Sequence, residues 1–197
     1  MMEADWSVEL MAEDPVIIVP WAATSDAPSK CKFVDLRSGG QLIDEIVEAG
    51  RVPELRATLV ALNGAASPLW TVKCDTWESD SQMDSYEMDA APADAKFGFG
   101  SYIDLLARDG TLQASFDRQE QWVRVVTGML RAVPARAARV ELVLRPAQVN
   151  HEAGYGVSWF VEGCGSTAQR AQKSWSDALG LALPVIMDAD LIPSTTG

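Results

Sequence analysis

The chain has 197 residues and a mass of 21.3 kDa, with 28 acidic against 16 basic side chains, a formal net charge of -12 and an isoelectric point near 4.4. At 48% hydrophobic and 22% charged residues the composition is that of an ordinary globular protein, sized for one domain or two small ones that share a core. It excludes a low-complexity or disordered chain, and its acidity argues against a polyanion such as nucleic acid as the partner.

The opening Met1, Met2, Glu3, Ala4, Asp5, Trp6 has neither the basic start nor the apolar run of a secretory signal, so a cytoplasmic location is expected. The longest apolar run, residues 16–23, is broken by Pro20 and falls short of the roughly 20 residues that cross a bilayer, so no membrane span is expected. Cys31, Cys74 and Cys164 form no C-x-x-C pair, and none neighbours the single histidine, His151. No metal site and no cofactor is indicated, since a closed zinc site needs about four such ligands.

In chain order, Trp6, Val8 and Leu10 alternate with polar or exposed positions, and residues 16–19 form a short apolar run between Pro15 and Pro20, so two short strands are expected. From Gln41 the period becomes helical. Leu42, Ile43, Ile46 and Val47 share a face, Ser38 with Gln41 reads as a capping box, and Gly50 ends the helix. A second helix begins at Pro53, carries Leu55, Leu59 and Leu62 on one face, and stops at Asn63-Gly64. Residues 1–65 thus hold N-terminal strands and a helical hairpin.

Trp70, Val72 and Cys74 then alternate with Thr71, Lys73 and Asp75 in a strand. Residues 78–95 carry Glu78, Asp80, Asp84, Glu87, Asp89 and Asp94 with no basic residue, and read as an acidic mobile loop. Phe97, Phe99, Ser101, Ile103 and Leu105 line one face of the next strand. A helix follows, opened by an Asp117 and Glu120 capping box, with Trp122, Val123, Val126, Met129, Leu130 and Val133 as its apolar stripe. The order then repeats. Val140, Leu142 and Leu144 mark one strand, Tyr155, Val157, Trp159 and Val161 another, and a last helix starts near Ser166, capped by Ser166 and Gln169, with Pro184 expected to kink or break it near Leu183. Residues 191–197 are expected to fray.

Strand, strand, helix therefore occurs twice, over residues 69–133 and 138–187. Gly98-Phe99-Gly100 and Gly154-Tyr155-Gly156 open the second strand of each unit and suggest pseudo-symmetry. The expected fold is a single α+β domain over residues 1–197, a mainly antiparallel sheet with helices packed on one face.

Chemistry is sparsely signposted. Gly163, Cys164, Gly165, Ser166 and Thr167 lie where a strand gives way to a helix, a place suited to an anion because backbone N–H groups and the helix dipole favour negative charge. The same field would lower the Cys164 thiol and make it a candidate nucleophile. Any tight turn also requires small residues there, and this plainer reading is favoured. His151 as a base for Cys164 is opposed by an intervening strand roughly 35 Å long at about 3.3 Å per residue, and a polar hairpin loop explains His151 better.

Asp80, Gln82 and Asp84 begin like a calcium loop, but Ser85 replaces its turn glycine and Ala91 its closing carboxylate, so a solvated loop is favoured. A carboxylate set of Asp75, Glu78 and Asp104 is the kind any acidic protein offers. The helical pair over residues 41–63 has Arg51 and Arg56 against Asp44, Glu45, Glu48 and Glu54, which opposes a DNA-reading helix-turn-helix. Arg118, Arg124, Arg131, Arg136 and Arg139 form the basic region, and they suit a solvated face or one that pairs with the acidic N-terminal half.

Of seven tryptophans, Trp70, Trp122, Trp159 and Trp175 are expected in the core. Trp77 falls on the Thr71, Lys73, Asp75 side of its strand and is expected on an open sheet face, as a contact residue for a protein partner or for self-association. The sequence points to a non-catalytic binding or assembly domain without nucleic-acid or membrane partners. The alternative is an enzyme or anion-binding protein at the Gly163 to Thr167 turn.

Overall fold

A computed structural model describes residues 1–21, 33–38, 40–79 and 91–193. Cys31 and the calcium-loop positions Asp80, Gln82 and Asp84 lie outside the described residues, as does most of the acidic segment. Among the described residues there are six strands and five α-helices: β1 (Glu3–Val8), β2 (Ile17–Val19), α1 (Val47–Arg51), α2 (Pro53–Asn63), β3 (Leu69–Ser79), β4 (Phe97–Ala107), α3 (Gly110–Gln113), α4 (Phe116–Leu130), β5 (Ala138–Val149), β6 (Glu152–Gly165) and α5 (Ala168–Ile186). The fold is α+β. The strands form one mixed sheet in the order β1-β5-β6-β4-β3, with β2 continuing the β1 edge of β5.

The long strands pair antiparallel, and only β1 and β2 run parallel to β5. The second strand of each strand-strand-helix unit, β4 and β6, sits at the centre, so both units share one continuous sheet. Asn150 and His151 alone join β5 to β6, at φ 49° and 73°. Two successive left-handed residues make the tight turn whose twist matches a hairpin, which gives His151 a structural place at the opposite end of β6 from Cys164.

One face of the sheet is covered by α2, α4 and α5, whose Leu55, Leu59, Trp122, Val126, Trp175 and Leu179 bury against Ile103, Leu142, Trp159 and their neighbours. The Trp175 indole donates to Ser101 Oγ at 2.9 Å, which satisfies a polar pair inside an apolar layer. A smaller core lies on the opposite face, where Ile17, Val19, Trp70, Val72, Leu106 and Ala147 pack beneath a strap of chain. The strap leaves β2 on the β5 edge and crosses to β3, where the Trp21 indole donates to the Val72 carbonyl at 3.2 Å. From there Arg37 stacks over Trp70 at 3.7 Å, and Leu36 enters the main core.

Several expectations shift in detail. The first helix divides into a 3-10 turn, Gly40–Glu45, and the five-residue α1, whose N-cap Ile46 is extended and has no side-chain cap. Ile43, Ile46 and Val47 are stiff β-branched residues that weaken a continuous helix. The caps of the longer helices are Ser115 and Thr167, which accept from the Arg118 and Arg170 N–H groups. Met129 is half exposed beside the α4 stripe. Helix α5 runs through Pro184 to Ile186, because proline in the last turn forfeits one hydrogen bond close to where the helix stops anyway. Strand β3 extends through Glu78 and Ser79, so these residues belong to the sheet. Leu191 and Ile192 pack on the core, and Arg118 donates to the Pro193 carbonyl at 2.6 Å, so this end is held down to Pro193. No described helix is long and apolar enough to cross a membrane.

Candidate functional site

Strand alternation builds the helix-free face. In β4, Ile103 and Leu105 enter the main core, so Gly100, Tyr102, Asp104 and Leu106 project the other way. Register places Tyr102 beside Phe160 and Asp104 beside Ser158, with Arg145 beside Gly156 one strand further on. Among the described residues, the strap covers the end of this face near Leu106 and Gly156. At its foot is a cavity of about 320 Å³, lined among others by Trp21, Lys73, Tyr102, Asp104, Arg145 and Phe160.

Asp104 is 8% exposed, and its carboxylate accepts from Ser158 Oγ at 2.5 Å. Ser158 in turn accepts from Arg145 Nη1 at 3.0 Å. The rest of the Arg145 guanidinium is spent on Glu9, with Nε at 2.8 Å and Nη2 at 2.7 Å from Oε2. Burial pushes the Asp104 carboxyl above the usual carboxylate range, opposed by the Ser158 bond and the charges of Arg145 and Lys73. Burial, then the Asp104 charge, likewise raise the Tyr102 phenol. Lys73 Nζ stands at the mouth, 6.0 Å from the ring centres of both Trp21 and Tyr102, and Arg145 lies 5.6 Å from the Phe160 ring centre.

Trp77 lies toward the other end of the same face and is 36% exposed. It pairs with Gly100, and its indole lies across that glycine so closely that a Cβ there would sit 2.4 Å from ring atoms. The expectation of an open-face Trp77 and its strand partners needs one correction. A register shift between Thr71 and Cys74 puts both Val72 and Lys73 on the open face, so Trp70 and Val72 share Trp77's side while Thr71 and Cys74 face the helices. The bulge reverses the alternation halfway along β3.

The residues Gly163, Cys164 and Gly165 end β6, and Thr167 caps α5. Gly163 is a close-packing glycine: a Cβ would sit 2.1 Å from the Trp175 backbone nitrogen. Cys164 is 1% exposed, its thiol 3.5 Å from the Ala137 carbonyl. Burial and the nearby Glu3 charge push that thiol up, the direction opposite to activation. Cys74 is pushed up to about 12, chiefly by burial. With Ser166, Arg136, Arg170 and Lys173, the turn lines a broad cleft of about 830 Å³. Arg170 Nη1 donates to Ser166 Oγ at 2.9 Å, and Lys173 pairs with Asp177 at 2.6 Å.

The remaining candidates separate. Asp75 shares the open face with Asp104, whereas Glu78, paired with Phe99, lies on the other side, so the three carboxylates do not converge. Helix α2 buries Leu55, Leu59 and Leu62 in the main core. Much of the basic region turns to the acidic N-terminal strand: Arg131 reaches the Ala4 carbonyl at 2.8 Å and Asp5 at 3.5 Å, and Arg139 lies 3.8 Å from Glu3. Among the described residues no group of three or more histidine, cysteine or acidic side chains is placed to hold a metal ion.

The cavity brings together Lys73, Tyr102, Arg145, Ser158 and Phe160, which the sequence reading did not single out. One signal was available: Asp104 is a charge set between Ile103 and Leu105-Leu106, in a strand apolar on both sides. Comparison with protein-family models, with curated proteins and with solved structures finds no match to this chain.

Proposed function

We propose that the chain is a non-catalytic protein-binding or assembly module whose recognition surface is the helix-free face of its sheet. One observation carries this reading: Trp77 lies exposed on that face over Gly100, held flat by the absence of a side chain beneath it. Indole offers a large rigid contact area at small entropic cost, and such residues dominate interface energies. A photo-cross-linking residue at position 77, compared with one at Val125 on exposed helix α4, identifies the partner. Selective cross-linking from 77, and at least a tenfold loss of that partner's affinity in Trp77→Ala, support the reading. Unchanged affinity and unchanged oligomeric state in Trp77→Ala would overturn it.

A second reading is an anion-binding protein or enzyme at Gly163, Cys164, Gly165, Ser166 and Thr167. Its support is the broad cleft that Cys164, Gly165 and Ser166 share with Arg136, Arg170 and Lys173. The nucleophile half is the weaker, since burial raises the Cys164 thiol. Fast alkylation of Cys164 with an apparent pKa below the ~8.5 of a free thiol would restore it, and inertness would end it. Sulfate protection against thermal unfolding that is lost in Arg170→Gln would support the anion half.

A further inference from the structure

We infer that the cavity at the foot of the strap is a cation pocket, which receives a lysine or arginine side chain of the protein that docks on the open sheet face. The inference rests on the binding-module reading and names the chemistry of its partner. Arg145 binds Glu9 directly and Asp104 through Ser158, so two carboxyl groups share one guanidinium. Among the described residues the hydrogen bonds of Arg145 go to Glu9 and Ser158, and Asp104 has a hydrogen bond but no ion pair. A buried carboxylate in that condition is costly, and an ammonium or guanidinium entering the cavity supplies the missing charge.

The walls suit the same guest. Trp21, Tyr102 and Phe160 line it, with Lys73 over the first two rings and Arg145 over the third, and such rings attract cations through the quadrupole, more strongly where water is excluded. Lys73 already holds its ammonium 6.0 Å from two of these rings, without an ion pair among the described residues, so a cation is compatible with the mouth and a guest would displace this one. The volume, about 320 Å³, lies at the small end of ligand pockets, roughly 300–1,000 Å³, and fits one side chain better than a large cofactor. On the same sheet face Asp5, Asp75, Asp104, Glu141 and Glu162 outnumber Lys73, Arg139 and Arg145, a field that steers basic partners.

The test uses n-butylammonium as the probe and n-butanol as its neutral counterpart, titrated into the intact protein and followed by amide chemical shifts. The expected result is saturable shifts at Lys73, Tyr102 and Ser158 with butylammonium but not butanol. Asp104→Asn should weaken binding at least tenfold while keeping the wild-type spectrum elsewhere, and Lys73→Ala should tighten it several-fold by removing the resident cation. Equal response to the two probes, unchanged binding in Asp104→Asn, or weaker binding in Lys73→Ala would each overturn the inference. The last result would instead indicate a guest that needs both an acceptor and an ammonium donor. If the partner cross-linked from position 77 binds Asp104→Asn and wild type alike, the cavity proposal fails while the sheet-face reading stands.

Discussion

Asp104 is where local chemistry and stability disagree. The groups facing it are Lys73 and Asp75 on β3, Tyr102 on its own strand, Ser158 on β6, and Arg145 on β5 with Glu9 beyond. Burial outweighs the favourable ones and raises its pKa, so the folded chain holds this proton more tightly than the unfolded chain does. The stability due to that proton is fully present below the ordinary carboxylate range and is lost as pH rises through the raised value. Asp104→Asn keeps the shape and has no charge to bury. Its melting temperature relative to wild type should therefore climb as pH rises above the ordinary carboxylate range, roughly 4, through the raised value. A variant that loses ground to wild type over that range would mean that Asp104 is an effectively paired carboxylate. A residue that costs stability where an amide would serve is the kind retained for binding. In the sequence Asp104 could be noticed as a charge inside an apolar strand, but its partners come from β5, β6 and the residues before β2. No spacing rule reveals which strands will be neighbours.

Elements were legible where periodicity is long and less so at their ends. Helices α4 and α5 follow from their apolar stripes, yet each begins at a cap one or two residues from the expected one, since several Ser, Thr and Asp side chains near a helix start compete for the same orphan N–H groups. The β3 bulge was invisible, because alternation read across it looks unbroken while the backbone has changed sides. Asn63 is the less obvious case. It appeared as a helix stop, and the helix does end there, but Gly64 follows at φ -60° with no left-handed cap. The Asn63 side chain instead bridges α2 to edge strand β3, accepting from the Thr71 N–H at 3.1 Å and donating to Thr71 Oγ1 at 2.7 Å and the Leu59 carbonyl at 2.8 Å. Thr71 is buried, so Asn63→Ala leaves a buried N–H without its acceptor, at about 1–3 kcal/mol. The expected outcome is a lower denaturation midpoint together with faster hydrogen exchange at Thr71. Unchanged exchange there would show that the bridge does not secure this edge.

At the scale of the molecule, the proposed function has the sheet separate stability from recognition, and two glycines on opposite faces test that separation with the same substitution. The one-sided helix layer was legible, because one face of the strands is more continuously apolar than the other. The strap was not, because its covering residues fall in short segments whose destination depends on the β2–β5 pairing. Gly163 lies under α5, where a Cβ would meet the Trp175 and Ala171 backbones at 2.1 and 2.6 Å. Backbone in a packed helix cannot step aside, so Gly163→Ala should cost about 3 kcal/mol through overpacking, a fall of roughly 6–12 °C in melting temperature for a chain of this size. Gly100 lies on the open face, where the three nearest atoms to the added carbon all belong to the Trp77 indole, a partly exposed side chain that can be displaced toward solvent where a helix backbone cannot. Gly100→Ala should leave the melting temperature within about 4 °C of wild type, red-shift the Trp77 contribution to fluorescence, and weaken the partner cross-linked from position 77. Comparable destabilisation by both variants would mean that Trp77 is held as a structural cover. A stable Gly100→Ala with displaced Trp77 and intact partner affinity would take the contact surface away from this face.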